Sequence, residues 1–177
     1  DVDIAAMDLA DLSSVASFCH AYQAEAQALH ILINNAGVMA CPEARVGAGW
    51  ESQFGINHLG HMALTQALLP ALRQAGGARV VALSSTAHAM SDVFWNDPPF
   101  NSTPYEKWAA YGQAKTANAL FALGLDRREQ SAGIRSFSGH PGGIITTLQR
   151  HLPDEEMVMP AWKNTDGPIP ARTQARV

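Results

Sequence analysis

The segment His-Ile-Leu-Ile-Asn-Asn-Ala-Gly at residues 30–37 is a short apolar run that stops at polar residues and a glycine. Three other short segments also lead into polar residues or turns, namely 3–7, 79–83 and 133–138. Apolar runs without polar alternation are typical of strands in parallel sheets, because both faces of such sheets are covered. We therefore predict a buried strand in each of the four segments.

Longer stretches with helical patterning and capping residues separate these strands. The predicted helices span residues 11 or 13 to 29, about 48 to 74, and about 105 to 130. Strands that alternate with helices predict an α/β fold with a doubly wound parallel sheet, covered by helices on both faces in three layers. Residues 1–152 would form this domain, and the proline-containing segment 153–177 an irregular substrate-side or disordered tail.

The carboxyl ends of the predicted strands carry polar residues and glycines. Ligands of such sheets bind beyond those ends. The residues placed there are Asp8, the run from Asn34 to Gly37, Ser84 and Ser85, and the run from His140 to Gly143. Topology alone thus predicts a binding site formed by several distant segments of the chain.

Composition limits the class of protein. The 177 residues are 47% hydrophobic and 16% charged, enough apolar material for one domain or most of one. The 12 basic and 16 acidic residues give a net charge of -4, which argues against a nucleic-acid partner. Cys19 and Cys41 cannot form a disulfide framework, which favours a reducing, cytoplasmic location. The longest stretch without charged residues, 52–72, is too polar for a membrane span.

Tyr111 and Lys115 are four residues apart on a predicted helix, so their side chains lie one above the other. A free phenol has a pKa near 10 and transfers protons poorly at neutral pH. An ammonium about 5 Å away, at an effective dielectric constant of about 20, would lower the pKa of the phenol by about 2 units. The pair is therefore a candidate proton-transfer site, although the same spacing is common on solvated helix faces.

Ser85 and Asn57 are the other candidates near this pair. Ser85 follows a buried strand and could donate a hydrogen bond to a substrate carbonyl beside the phenol. Asn57 is a poor helix former in the middle of a predicted helix and could bind water or a backbone group. The simpler alternatives are that Ser85 caps a turn and that Asn57 satisfies a carbonyl.

The combined motifs resemble the short-chain dehydrogenase/reductase family, over residues 1 to about 152. The matching residues, in the family's order and sheet positions, are Asp8-Leu9, Asn34-Asn35-Ala36-Gly37, Asn57, Ser85, Tyr111-x-x-x-Lys115 and Pro141-Gly142. The segment between Ser85 and Tyr111, with Trp95 and Tyr105, is similar to the retinol dehydrogenase and protochlorophyllide reductase branch. This resemblance implies a Rossmann-like fold.

By this resemblance, Tyr111 is the acid/base that protonates a carbonyl oxygen or takes a hydroxyl proton. Lys115 lowers its pKa and holds the nicotinamide ribose. Ser85 polarises the substrate oxygen, and Asn57 completes a proton relay through water to Lys115. The activity implied is hydride transfer between NADP or NAD, with NADP slightly favoured, and a small apolar alcohol or carbonyl substrate.

The resemblance also implies a cofactor site, besides Tyr111 and Lys115. Asp8 and Leu9 would border the adenine. The adenosine ribose would lie against Asn34, Ala36 and Gly37, and the nicotinamide against Pro141, Gly142, Ile144 and Thr146.

The family's first β-α-β unit, with its glycine-rich phosphate-binding turn, does not occur before Asp8. In the strand order 3-2-1-4-5-6 this unit supplies the central strands 1 and 2, so the predicted strand 3–7 would have no neighbour. We therefore expect a partial chain of a longer enzyme, or an assembly in which another chain fills the gap. As an isolated polypeptide it should bind cofactor poorly.

Other functions are weaker alternatives. His58 and His61 could ligate a metal, but no carboxylate or cysteine neighbours them at ligand spacing, and we predict no metal site. A hydrolase with Ser85 and His88 or His140 lacks the Gly-x-Ser-x-Gly turn of a nucleophile elbow. A catalytically idle relative that senses nucleotides or binds proteins, or a non-functional fragment, remains the main alternative to an enzyme.

Two further features of the sequence bear on partners and substrate. The helix 113–125 carries one charge, Lys115, and its apolar face beyond the sheet predicts a homo-oligomer. The aromatic residues of the long loop either line an apolar substrate pocket or pin the loop to the surface. These residues are Phe94, Trp95, Phe100, Tyr105 and Trp108.

Overall fold

The computed structural model describes residues 2–143, 146–153 and 155–156. The strands are β1 (Ile31–Asn34), β2 (Arg45–Val46), β3 (Trp50–Glu51), β4 (Ala78–Leu83) and β5 (Ile134–Gly139). The helices are α1 (Leu12–Ala24), α2 (Ser52–Phe54), a π-helix (Gly55–Gly60), α3 (His61–Gln74) and α4 (Lys107–Glu129). Short 3₁₀ turns follow at Thr86–Met90, Gln130–Ala132 and Thr147–Gln149.

The main sheet has the order β1-β4-β5, and both pairings are parallel. Val80 of β4 lies opposite Leu32 on one side and Ser136 on the other. Strands β2 and β3 form a separate antiparallel ribbon. The α/β fold predicted from the alternation of strands and helices is confirmed, and three of the four predicted strands belong to the sheet.

All the long helices lie over one face of this sheet. Leu72 of α3 and Leu125 of α4 pack in one cluster with Val80 and Ile134 of the sheet. Helix α1 packs on α3 through a second cluster that includes Val15, Cys19, Leu64 and Leu68. Crossovers between parallel strands are right-handed, so strands added in one direction place their connecting helices on one face.

The other face of the sheet is open in the part of the chain described. Ile33 of β1 and Phe137 of β5 are 58% and 48% exposed, and burial alternates along β4. Helices on both faces were expected, and the described residues supply one helical layer, because every crossover runs in the same direction.

Residues 3–7 do not form the predicted strand. Their backbone is irregular, and Ile4 is almost fully exposed. A strand needs a neighbour for its backbone N–H and C=O groups, and no strand of the described residues pairs with this segment. The apolar composition of residues 3–7 therefore predicted a strand that does not form without a neighbouring strand.

Two predicted helices are shorter than expected. The helix predicted from about residue 48 begins at Ser52, because Gly47 and Gly49 take positive φ angles of 52° and 98° in the ribbon turn. The buried Glu51 carboxylate then caps α2 by accepting hydrogen bonds from the backbone of Gln53 and Phe54. Helix α1 ends at Ala24 rather than near residue 29.

Of the predicted tail 153–177, only residues 153, 155 and 156 are described, and the remainder lies outside the described residues. In the part of the chain that the structure describes, none of the helices combines the length and apolarity needed to cross a bilayer.

We predict that Leu72→Ala destabilises the fold through the cavity it leaves. Leu72 is fully buried, and truncations of this kind cost about 2–5 kcal/mol. Leu12→Ala is the matched control, because Leu12 is 49% exposed and should change the free energy of unfolding by about 0.5 kcal/mol or less. Urea unfolding of the full protein measures both, and equal losses would contradict the core assignment.

Candidate active site

Tyr111 and Lys115 lie together on α4, at the carboxyl end of the sheet. The Lys115 Nζ atom is 5.4 Å from the centre of the Tyr111 ring. Both residues are buried, at 4% and 6% exposure. The sequence spacing correctly predicted that the two side chains share one side of the helix.

The Tyr111 phenol lies near Ser85. Burial raises the pKa of Tyr111 above its ordinary value of 10, and the Ser85 side chain acts in the lowering direction. The lowering that we expected from Lys115 is not found, because removal of water from the phenol is the largest cause of the shift. Ser85 also caps the turn at Thr86–Met90, where its Oγ accepts from the Ala87 N–H at 3.2 Å. The simpler alternative, that Ser85 caps a turn, is confirmed, and its role toward a substrate oxygen stays a prediction.

Lys115 donates from Nζ to the Leu83 carbonyl at 3.0 Å. Burial lowers the pKa of this amine from 10.5 to about 8, so it is still mostly charged at neutral pH. The Ser84 hydroxyl donates to the Lys115 backbone carbonyl at 2.7 Å. The end of β4 thus holds Lys115 through both its backbone and its side chain.

Asn57 lies in the π-helix and makes a reciprocal pair with the backbone of Val38. Its Oδ1 accepts from the Val38 N–H, and its Nδ2 donates to the Val38 carbonyl, each at 2.8 Å. A Cβ atom at Gly37 would lie 2.8 Å from Asn57 Oδ1, so this close approach requires glycine. The simpler prediction, that Asn57 satisfies a carbonyl, describes its side chain, and π-helical turns are frequent at functional sites.

The other cofactor candidates lie in several places. Asn34 is buried, donates to Thr65 Oγ1 at 2.9 Å and has an Oδ1 without a partner among the described residues. Leu9 packs closely beneath Gly60 of the π-helix, whereas the exposed Asp8 bonds locally to the Ala10 N–H. Ala36 and Gly37 are next to the Asn57 pair.

On the nicotinamide side, Pro141 and Gly142 are exposed, and Gly142 has a φ of 93°. The Thr146 side chain accepts from the Leu148 N–H in a local capping turn. Ile144 lies outside the described residues. These residues follow β5 in the chain, as expected, and the hydrogen bonds of Thr146 are with its own neighbours in sequence.

The residues present fit the ribose and nicotinamide end of a dinucleotide. A charged ammonium and a phenol hydroxyl lie side by side, and small residues leave the backbone approachable at Ala36 and Gly37. The pyrophosphate would need a helix N-terminus with a glycine-rich turn, which this sequence does not contain before Asp8.

The aromatic residues of the long loop mainly pin it to the protein. The Phe100 ring contacts those of Phe94 and Tyr105 at centroid distances of 5.1 and 5.6 Å. Asp97 accepts three backbone hydrogen bonds within the loop, which lower its pKa to about 2. Trp95 is largely exposed. Trp108 differs from the others, because its ring packs against Tyr111 at 6.4 Å.

The histidines do not support the weaker alternatives. The His88 ring contacts the Ser85 carbonyl at 2.6 Å rather than the Ser85 hydroxyl that a hydrolase would activate. His58 and His61 are buried, where His58 Nδ1 bonds Asn118 and His61 Nδ1 bonds the Asn57 carbonyl. Within the described residues, no group of three or more metal-ligating side chains occurs.

Sequence reasoning missed Asn118 and the Leu83 carbonyl. Asn118 is three residues after Lys115 on α4, so helical spacing places it beside that lysine. It donates to the carbonyls of Leu83 and Asn57. The spacing was a usable signal for Asn118, whereas a backbone carbonyl has no signal in a sequence.

Comparisons with known proteins agree with this arrangement. Residues 1–97 match the family model described as short chain dehydrogenase. The chain is 47% identical over 153 residues to a "Probable oxidoreductase" of Streptomyces lividans, covering 86% of this chain and 50% of the relative. It is 42% identical over 145 residues to mouse (Mus musculus) retinol dehydrogenase 12, covering 82% of this chain and 46% of the relative. The chain thus spans about half the length of the curated relatives it matches.

Two solved structures are similar to the structure of this chain. An uncharacterized Mycobacterium paratuberculosis protein superposes with a TM-score of 0.72 at 44% identity, covering 80% of this chain and 51% of its own. RhlG of Pseudomonas aeruginosa, solved with NADP, superposes with a TM-score of 0.62 at 26% identity, covering 82% of this chain and 54% of its own.

We predict that acidification destabilises the fold through His61. Burial lowers the pKa of His61 from 6.5 to about 4. Between these values the unfolded chain binds more protons than the folded one. The free energy of unfolding therefore decreases as the pH is lowered, by up to about 3 kcal/mol. His61→Gln keeps a donor for the Asn57 carbonyl and cannot titrate, so its stability should depend less on pH in this window.

Urea unfolding of the full protein at several values between pH 7 and pH 4 measures this dependence. His20→Gln, on the exposed surface of α1, is the control and should follow the wild-type curve. Identical pH dependence in wild type and His61→Gln would contradict the prediction.

Proposed function

Because the chain belongs to the short-chain dehydrogenase family, we propose that it carries the proton-transfer residues of an NAD(P)-dependent oxidoreductase. The reaction would be hydride transfer between the nicotinamide and an alcohol or carbonyl substrate. One observation carries this proposal: the buried Tyr111 ring and the Lys115 ammonium lie side by side at the carboxyl end of the sheet, with Ser85 near the phenol just after strand β4. A protein that only binds nucleotides or proteins has no need of this set.

Tyr111 would act as the general acid and base of this reaction. Burial holds its pKa above 10, so the phenol is protonated at neutral pH and ready to give its proton to a carbonyl oxygen. The same oxygen must become a phenolate to accept a proton from an alcohol, and a positive charge nearby stabilises that state. Lys115, charged at neutral pH and beside the ring, supplies it.

Ser85 would orient the substrate oxygen. Its hydroxyl lies near that of Tyr111, so a substrate oxygen that contacts both groups would be held between them. Such positioning places the carbonyl for proton transfer without reorganising the protein.

The bound nicotinamide cofactor would supply the hydride. Lys115 and Tyr111 would hold the ribose next to the nicotinamide, and Ala36, Gly37 and Asn34 the adenosine ribose. The remaining proposed contacts are Asp8 and Leu9 at the adenine and Pro141, Gly142, Ile144 and Thr146 at the nicotinamide. The NADP bound in the RhlG structure supports NADP as the preferred cofactor.

An apolar substrate fits the surroundings of Tyr111. The side chains that pack with it are apolar or aromatic, namely Met39, Ala40, Ala87, Trp108, Leu148 and Leu152. Apolar walls favour an apolar substrate, and a few polar groups fix its orientation. The similarity to retinol dehydrogenases agrees with this class. A cytoplasmic location stays a prediction.

A homo-oligomer formed through α4 is also proposed. Leu120 and Leu123 are 44% and 48% exposed, in the part of α4 (residues 113–125) that carries one charge. Burial of these side chains by a second copy would remove apolar surface from water. We expect sedimentation of the full protein to show a dimer or larger, and Leu123→Glu to shift it toward monomer. Purely monomeric wild-type protein would contradict this proposal.

Tyr111→Phe tests the catalytic proposal. It removes the transferable proton and keeps the ring beside Lys115, so we expect turnover of an apolar aldehyde or alcohol to fall by about 10²- to 10⁴-fold. Thermal stability should remain close to wild type, and the cofactor should still bind because Lys115 would keep its contact with the ribose. The measurement is the change in nicotinamide absorbance in the full protein.

Tyr105→Phe is the matched control. It removes a buried hydroxyl that donates to the Cys41 carbonyl at 2.8 Å, outside the proposed catalytic set, and should keep most of the turnover. Near wild-type turnover in Tyr111→Phe would refute the acid/base role. A wild-type protein that binds cofactor yet turns over no alcohol or carbonyl would favour the idle relative.

A further inference from the structure

Asn118 connects strand β4, helix α4 and the π-helix. It is 3% exposed, and its Nδ2 donates to the Leu83 carbonyl at 3.0 Å and to the Asn57 carbonyl at 3.1 Å. These two bonds use both hydrogens of the amide nitrogen. The side chain therefore joins the end of the central strand to the π-helix that holds Asn57.

The same two bonds fix the orientation of the Asn118 amide. Only the amide nitrogen can donate to two carbonyls, so the amide oxygen faces His58 Nδ1, 3.1 Å away. That oxygen only accepts hydrogen bonds, so the Nδ1 of His58 must carry the hydrogen. The His58 ring is held between Phe54 and Phe121, at centroid distances of 5.1 and 6.2 Å.

The Leu83 carbonyl receives two donors, Lys115 Nζ and Asn118 Nδ2, each at 3.0 Å. Both donors are buried, at 6% and 3% exposure. A carbonyl that loses its last donor among buried side chains costs free energy. When Lys115 moves away, Asn118 still satisfies the carbonyl, and the lysine can leave without stranding an acceptor.

We propose that Asn118, oriented by the Nδ1–H of His58, is a positioning residue that allows Lys115 to exchange the Leu83 carbonyl for the ribose hydroxyls of the cofactor. This inference rests on the proposed function, because the ribose is the group toward which Lys115 would move. It assigns a function to a buried pair that makes no contact with the reacting atoms.

The first test is cofactor affinity. In Asn118→Leu the departure of Lys115 leaves the Leu83 carbonyl without a donor, so we expect NADPH to bind about tenfold more weakly in the full protein. Gln113→Leu is the matched control. Gln113 is also a fully buried amide of α4 with two backbone partners, Phe94 N–H and Pro98 O, but it does not contact Leu83 or Asn57. Its NADPH affinity should stay within about twofold of wild type, and equal losses in both variants would overturn the proposal.

Variants of His58 test the orienting hydrogen bond. His58→Gln can still donate to Asn118 Oδ1 and should bind NADPH nearly as wild type, whereas His58→Phe should share part of the loss seen in Asn118→Leu. Equal affinities of the two His58 variants would overturn the orienting role. The two His58 variants also test the role of Asn118 if Asn118→Leu fails to fold.

The second test needs no cofactor. Nitrogen-15 NMR of the histidine rings should show His58 as the Nδ1–H tautomer, and should show this preference lost in Asn118→Leu. An Nε2–H tautomer in the wild type would overturn the proposal.

Failure of the proposed function and failure of the Asn118 role give different results. If wild type binds neither NADPH nor NADH, the proposed function and the role of Asn118 toward the cofactor both fail. If wild type binds NADPH and Asn118→Leu binds it equally well, only the role of Asn118 fails.

Discussion

The end of strand β4 holds helix α4 at Lys115 and Asn118, and the arrangement of the site depends on that attachment. The Ser84 hydroxyl donates to the Lys115 carbonyl at 2.7 Å, while Lys115 Nζ and Asn118 Nδ2 both donate to the Leu83 carbonyl. Parallel pairing with β1 and β5 fixes β4 in turn. Because Tyr111 is one turn before Lys115, this attachment also determines where the phenol meets Ser85.

Exclusion of water determines the electrostatics of the site. Burial raises the pKa of Tyr111, lowers that of Lys115 to about 8 and lowers that of His61 to about 4. Each shift disfavours the charged form of the group, as desolvation requires. The hydrogen bonds that oppose these shifts come from neighbours in the same small network. A low-dielectric site of this kind strengthens the effect of any charge brought into it.

Local sequence predicted secondary structure correctly where the described residues supply the pairing partner. It predicted wrongly where a strand had no partner. The run at 30–37 became β1 because β4 pairs with it, whereas the equally apolar run at 3–7 has no neighbouring strand and stays irregular. The ribbon at residues 45–51 depends on the positive φ angles of Gly47 and Gly49, which apolar periodicity does not report.

By itself the sequence determined the alternation of strands and helices, the residues at the strand ends and the four-residue spacing of Tyr111 and Lys115, because these follow from local periodicity. Only the tertiary structure decided that Asn118 and Lys115 share the Leu83 carbonyl, that Asn57 pairs with the Val38 backbone, and that burial raises the Tyr111 pKa. Those outcomes depend on backbone groups and on solvent exclusion by distant segments. The type of a residue predicts neither of them.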